Sequence, residues 1–173
     1  LMADHIDTAF CEDIFQQSGK RVSAPGADDN ATATAALLSA ALILPQVKPL
    51  RDIWLVHLTG EEFPADDLGA RYFVSQLFKD KKDIAGLVLM DLIGYRDTDD
   101  NIFQINPGDN PVSLLMAKIA LDVSKQVTPF EAVLRTRFDQ RSYLYNTDGL
   151  IFSDNGYPVL YLKQCRIRSW DRY

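Results

Sequence analysis

The chain has 173 residues, 47% of them hydrophobic and 24% charged, and 24 acidic against 18 basic side chains leave a formal charge of −6. That length supports one globular domain with a real core, and its scattered cations argue against a nucleic-acid surface, which needs clustered Lys and Arg to neutralise phosphates. Two cysteines, Cys11 and Cys165, are too few for a disulfide scaffold or a cysteine zinc ribbon, and the two histidines, His5 and His57, limit any imidazole metal site.

Leu1–Asp7 reads as the end of a strand, without the basic and apolar regions of a signal peptide. Thr8–Asp28, with Gly19, Pro25 and Gly26, reads as an irregular loop. Asn30–Leu44 is Ala/Leu-rich and helical, ended by Pro45, and its apolar run falls short of the roughly 20 residues that a membrane span needs. Asp52–Thr59 (DIWLVHLT) predicts a buried strand, Leu68–Lys79 an amphipathic helix and Ile84–Ile93 (IAGLVLMDLI) a second apolar strand. Val112–Val127 predicts another helix, and Tyr157–Leu162 (YPVLYL) a last strand. Strands alternating with helices imply an α/β domain: a mostly parallel central sheet sandwiched between helices in three layers. No repeat or linker divides it, so residues 1–173 read as a single domain with neither a membrane nor a nucleic-acid partner.

In open α/β sheets, ligands bind at the carboxyl ends of the strands. His5 and Asp7 end the first strand, Glu61 and Glu62 follow the second, and Asp91 lies near the end of the third, while Asp28 and Asp29 stand where a Pro-Gly loop becomes a helix. Taken singly, each has an ordinary reading: a hydrogen-bonded strand-end histidine, a helix N-cap, a solvated glutamate pair. Asp91, inside LVLMDLIG, would be a buried charge needing a partner. Together they concentrate negative charge on one rim, and bound metal is the simplest remedy. His57, flanked by Val56 and Leu58, reads as a core residue.

The ordered set Ala-Asp-His-Ile-Asp (3–7), Ala-Pro-Gly-Ala-Asp-Asp-Asn-Ala (24–31), Thr-Gly-Glu-Glu (59–62) and Met-Asp-Leu-Ile-Gly (90–94) resembles the two-zinc exopeptidases. That family includes bacterial leucyl aminopeptidases, glutamate carboxypeptidase and, with altered metal content, glutaminyl cyclase. The run at 147–159 resembles the family segment in which an Asp precedes a Phe and a Gly-x-Pro, although Gly149 stands where the family often has His. The resemblance implies that His5 ligates one zinc, Asp29 bridges two, and Glu62 and Asp91 complete the carboxylate ligands. It further implies Glu61 as general base and Asp7 as the group that fixes the His5 ring. Two zinc ions about 3.5–4 Å apart would share and acidify a water, with the non-ligand carboxylate taking its proton.

The family's fifth ligand is a late histidine, and none follows His57. The expectation is therefore a catalytic domain incomplete at both ends, and a zinc aminopeptidase acting on peptides. A glutaminyl cyclase-like single-zinc acyl transferase and a metal-poor binding domain of the same fold remain as alternatives. Relatives are often exported, which makes a periplasmic or secreted setting the expected one. Phe63, Tyr143, Tyr145 and Phe152 are candidates for an apolar substrate pocket, and Phe63–Asp67 is an insertion at its rim. The Asn30-Ala31-Thr32 sequon is expected to be a chance match.

Overall fold

The strands alternate their side chains between two faces, and each face collects apolar residues that need a covering helix. The structure, a computed structural model, describes residues 1–10, 12–95 and 101–164. It has one sheet of six strands: β1 (Met2–His5), β2 (Leu55–Leu58), β3 (Leu87–Asp91), β4 (Ile102–Pro107), β5 (Glu131–Leu134) and β6 (Val159–Gln164). Their spatial order is β2-β1-β3-β6-β4-β5. The first four in that order are mutually parallel; β4 is antiparallel to β6, and β5 is parallel to β4. The helices are α1 (Glu12–Ser18), α2 (Ala31–Val47), α3 (Leu68–Lys79), α4 (Pro111–Val127) and α5 (Asp148–Asp154).

On one face, α2 covers Met2, Leu55, Met90 and Leu162 through Ala33 and Leu37, and α4 covers Ile105 and Leu160 through Ala117. On the other, α3 and α5 bury Ala70, Val74, Leu77, Ile151 and Phe152 against Ala3, Leu58, Leu87, Leu89, Val159 and Tyr161. The second face carries the larger side chains, with Phe152 and Tyr161 wholly enclosed. Fully burying a Leu or Phe contributes about 1.5–3 kcal/mol, so this cluster is the main anchor of the strand ends that lead to the rim.

Four differences from the sequence reading have physical causes. Helix α2 runs through Pro45 to Val47, because the carbonyl that Pro45 leaves without a donor, that of Ala41, belongs to an exposed residue near the helix end. β4 (IFQINP) has Gln104 and Asn106 within it and β5 (EAVL) is four residues long, so neither shows the continuous apolar run that marks a buried strand. α1 and α5 have seven residues each, too few for a clear period. His57 is not a core residue: it lies on the edge strand β2, and its Nδ1 is 2.7 Å from Oδ1 of the buried Asp4.

Gly69 explains how closely α3 approaches the sheet. A Cβ at this position would overlap the Thr59 carbonyl oxygen, to which the Gly69 N–H donates at 2.9 Å. Gly69→Ala is expected to destabilise the chain by about 1–3 kcal/mol, because the helix must shift to admit one methyl group. Urea denaturation measures it, and an unchanged midpoint would contradict this packing.

Candidate metal centre

His5 ends β1 with its ring buried on the α3/α5 side. Its Nδ1 lies 3.1 Å from the carbonyl oxygen of Asp7, which can only accept, so Nδ1 carries a proton and Nε2 is the atom left to face the rim. Nε2 is 3.2 Å from Asp29 Oδ1 and 3.3 Å from Asp91 Oδ1. Burial opposes charge on the ring, but the bonds to Asp29, Asp7 and Asp91 prevail and hold its pKa well above the ordinary histidine range.

Asp29 is carried by the loop that enters α2, and its neighbours fasten that loop to the end of β3. Asn30 donates from Nδ2 to the Met90 carbonyl at 3.2 Å and accepts from the Leu92 N–H at 3.3 Å. Asp28 Oδ1 accepts from the N–H groups of Gly94 and Tyr95, and its Oδ2 accepts from Gln164 Nε2. With both flanking side chains so engaged, Asp29 is the one left to point at His5. Asn30 is buried with its amide in use, consistent with a chance sequon.

Glu61 and Glu62 sit in a loop closed by its own backbone: Asp67 N–H to Glu61 O, Leu68 N–H to Gly60 O and Gly69 N–H to Thr59 O. Asp7 pins this loop to the end of β1, accepting from the N–H groups of Glu61 at 3.3 Å and Glu62 at 3.1 Å. Its carboxylate stays 3.7 Å from His5 Nδ1, so it is the Asp7 carbonyl that orients the ring and the carboxylate that holds the glutamates. Glu62 Oε1 accepts from the Ala9 N–H at 3.0 Å. Asp91, at the end of β3, has its second oxygen bonded by the Tyr161 hydroxyl at 2.7 Å.

These groups strain one another electrically. Burial and neighbouring carboxylates push Glu61 up to about 9 and Glu62 to about 7. Burial and carboxylate neighbours also raise Asp29. Asp91 is held low: burial opposes its charge, but the His5 bond, Lys163 and the Tyr161 hydroxyl outweigh it. Asp7 lies at about 2, where the His5 interaction and the two N–H donors overcome burial.

The donor set suits zinc. One ligand atom each from His5, Asp29 and Glu62 lies within 4.8 Å of the others. The 3.2 and 3.3 Å separations from His5 Nε2 match the roughly 3.3 Å edge of a tetrahedron with bonds of about 2.0–2.1 Å. Asp29 Oδ1 is buried and faces His5 Nε2, so the two atoms are placed to share one cation.

Two rim residues carried no chemistry in the sequence reading. Asp148, at the start of α5, is fully buried with neither oxygen hydrogen-bonded, and burial above all pushes it up to about 8. Lys163, near the end of β6, is buried beside Asp91. A lysine inside YPVLYLK was the available signal for the second. Gly149 has no room for a histidine, since even a Cβ would press on Leu144, Leu89 and Val159. Of the aromatic candidates, Phe152 is core, Tyr145 faces the Arg137 guanidinium at 5.5 Å, Phe63 is exposed beside Phe10, and Tyr143 lies by Lys163. Cys11, Cys165 and residues 166–173 fall outside the described residues.

The mixed α/β sheet carries a His–carboxylate cluster that could hold a metal at its carboxyl rim, and residues 1–172 match peptidase family M28. The chain belongs to that family. It is similar in structure to the LapA aminopeptidase of Legionella pneumophila, with a TM-score of 0.73, 15% identity and 99% of this chain covered against 41% of that one. It is likewise similar to BSAP, a zinc aminopeptidase from Bacillus subtilis, with a TM-score of 0.72, 17% identity and coverage of 98% and 38%. The uncharacterized protein YfbL of Escherichia coli is 34% identical over 77 residues, 43% of this chain and 23% of that protein. The chain thus spans less than half the length of these relatives. Among the described residues, no helix is long and apolar enough to cross a membrane.

Two outcomes follow from the electrostatics. Asp7, held at about 2 against an ordinary 3.8, stabilises the fold above its ordinary value, and that contribution disappears as pH falls from about 4 to 2. Asp7→Asn is therefore expected to flatten the acid limb of a stability-against-pH curve, and to cost about 1–3 kcal/mol near neutrality through the weakened N–H bonds. Among the protein's own groups, His5 and Glu61 carry protons at pH 7 and Glu62 is near half-protonated, so zinc must displace them. Titration calorimetry in buffers of different ionisation enthalpy should register proton release and an affinity that rises with pH; zinc uptake without proton release would contradict the assignment.

Proposed function

We propose that the chain carries the active centre of a zinc-dependent aminopeptidase that hydrolyses the N-terminal peptide bond. The observation that carries this reading is the close grouping of His5, Asp29 and Glu62 at the sheet's carboxyl rim, with Glu61 next to Glu62. Membership of the peptidase family and likeness to two aminopeptidase folds support it.

In this reading His5, Asp29, Glu62 and Asp91 would hold the zinc, two ions in all. The bound metal supplies a Lewis acid for the scissile carbonyl and a water of lowered pKa. Charge arithmetic favours two ions. The rim gathers the carboxyl groups of Asp7, Asp29, Glu61, Glu62, Asp91 and Asp148, and once His5 binds metal as the neutral imidazole only Lys163 stands against them among the described residues of the rim. Glu61 takes the proton of the attacking water at its carboxylate and returns it to the leaving amine, a role its raised pKa suits once nearby cations draw it down toward neutrality. Asp7 keeps Glu61 and Glu62 in place through their N–H groups and steadies the His5 ring through its own carbonyl. Tyr161 fixes the Asp91 carboxylate by donating to Oδ2.

Glu61→Gln tests the assignment. With the general base removed, peptide hydrolysis should fall about 10²–10⁴-fold while zinc content, read by elemental analysis, stays unchanged. Equal loss of zinc would make Glu61 a ligand instead, and undiminished hydrolysis would remove it from the chemistry.

A further inference from the structure

β6 places Tyr161 and Lys163 two residues apart, on the face that carries Asp91 and His5, and Lys163 stands in register with Asp91 on β3. Lys163 is only 3% exposed. Its Nζ lies 4.3 Å from the centre of the Tyr143 ring, yet among the described residues no carboxylate oxygen comes within 4.0 Å and no hydrogen-bond acceptor is in reach. An ammonium so enclosed, with no carboxylate on its donors, is poorly compensated. Burial pulls its pKa below the ordinary lysine value, and the more distant field of Asp91, Asp29, Glu61 and Asp28 opposes that shift without cancelling it.

That field is committed elsewhere in the reading proposed above, on which this inference rests: Asp29 and Asp91 give their charge to metal, and Glu61 to a proton. Lys163 then needs an anion of its own, beside the position where the scissile bond would lie. The Tyr143 ring can hold the ammonium without neutralising it, because a cation on an aromatic face keeps its full charge for a second partner. We propose that Lys163 is the specificity-determining residue of this centre and that its ammonium receives a carboxylate of the substrate. Two parts of a peptide offer one: the side chain of an N-terminal Asp or Glu, or the free α-carboxylate of a very short peptide. An apolar side chain at the same place would leave the ammonium buried and unpaired, so the site discriminates against it.

The test uses the zinc-loaded full chain and a panel of dipeptides. Glu-Ala-amide against Leu-Ala-amide reads the side-chain source, and Leu-Ala against Leu-Ala-amide reads the α-carboxylate. One of the two ratios of kcat/KM is expected to be about 10²-fold or more in favour of the carboxylate. Lys163→Met should collapse that ratio toward one, and Lys163→Arg should restore part of it. Ratios near one in the unaltered protein, or a ratio that survives Lys163→Met, would overturn the assignment while leaving the peptidase reading intact. Should no dipeptide be hydrolysed, the peptidase reading fails, and calorimetry still decides on Lys163: glutamate binding more tightly than leucine to the unaltered protein, and not to Lys163→Met, upholds it, and equal binding rejects it.

Discussion

Mutual repulsion among buried carboxyl groups is the constraint on which the rest of this structure depends. Two unit charges about 4 Å apart repel by about 4 kcal/mol at the effective dielectric of a protein edge, and a domain is stable by only about 5–15 kcal/mol in all. Asp29, Glu61, Glu62, Asp91 and Asp148 crowd one rim, so they cannot all be ionised on the strength of His5 and Lys163 alone. The consequences are visible residue by residue. Glu61, Glu62 and Asp148 are pushed up, His5 is held charged, and Asp91 keeps its charge only through His5, Lys163 and the Tyr161 hydroxyl. A rim so arranged favours any cation that can replace the protons.

The fold meets this repulsion with backbone fastenings. Asn30 and Asp28 bind the α2 entrance to the segment after β3, Asp7 binds the glutamate loop to β1, and Gly69 lets α3 seat against Thr59. The Asn30, Asp28 and Asp7 fastenings use a polar side chain on main-chain groups and the Gly69 contact is main chain to main chain, so the repelling carboxylates are held by atoms that do not themselves titrate near neutrality. Beneath them the Phe152–Tyr161 cluster ties β6 and α5 to the central strands. The same strand that buries Tyr161 thereby brings Lys163 to the rim.

Much of this was legible before any coordinates. The helices at 68–79 and 112–127 and the strands around Leu55, Leu87 and Val159 follow from apolar period and run length, and the strand-end rule singles out His5, Asp7, Glu61, Glu62 and Asp91. β5 and α5 are not legible because short segments owe their structure to neighbours on the sheet, and β4 because Gln104 and Asn106 interrupt its apolar run. His57 misled for a related reason: its apolar flanks suggested the core, but an edge strand leaves room for a half-open imidazole paired with Asp4.

By itself the sequence determined the α/β class, the parallel centre of the sheet and the set of ligand-type residues, because periodicity and strand-end chemistry are local properties of the chain. Only the tertiary structure decided which oxygen faces which nitrogen, that the Asp7 carboxylate serves the glutamate loop more than the histidine, and that Asp148 and Lys163 join the rim. Those outcomes depend on strands and loops 54 to 136 residues apart meeting at one edge, as Asp28 and Gln164 do, and no local pattern encodes such a meeting.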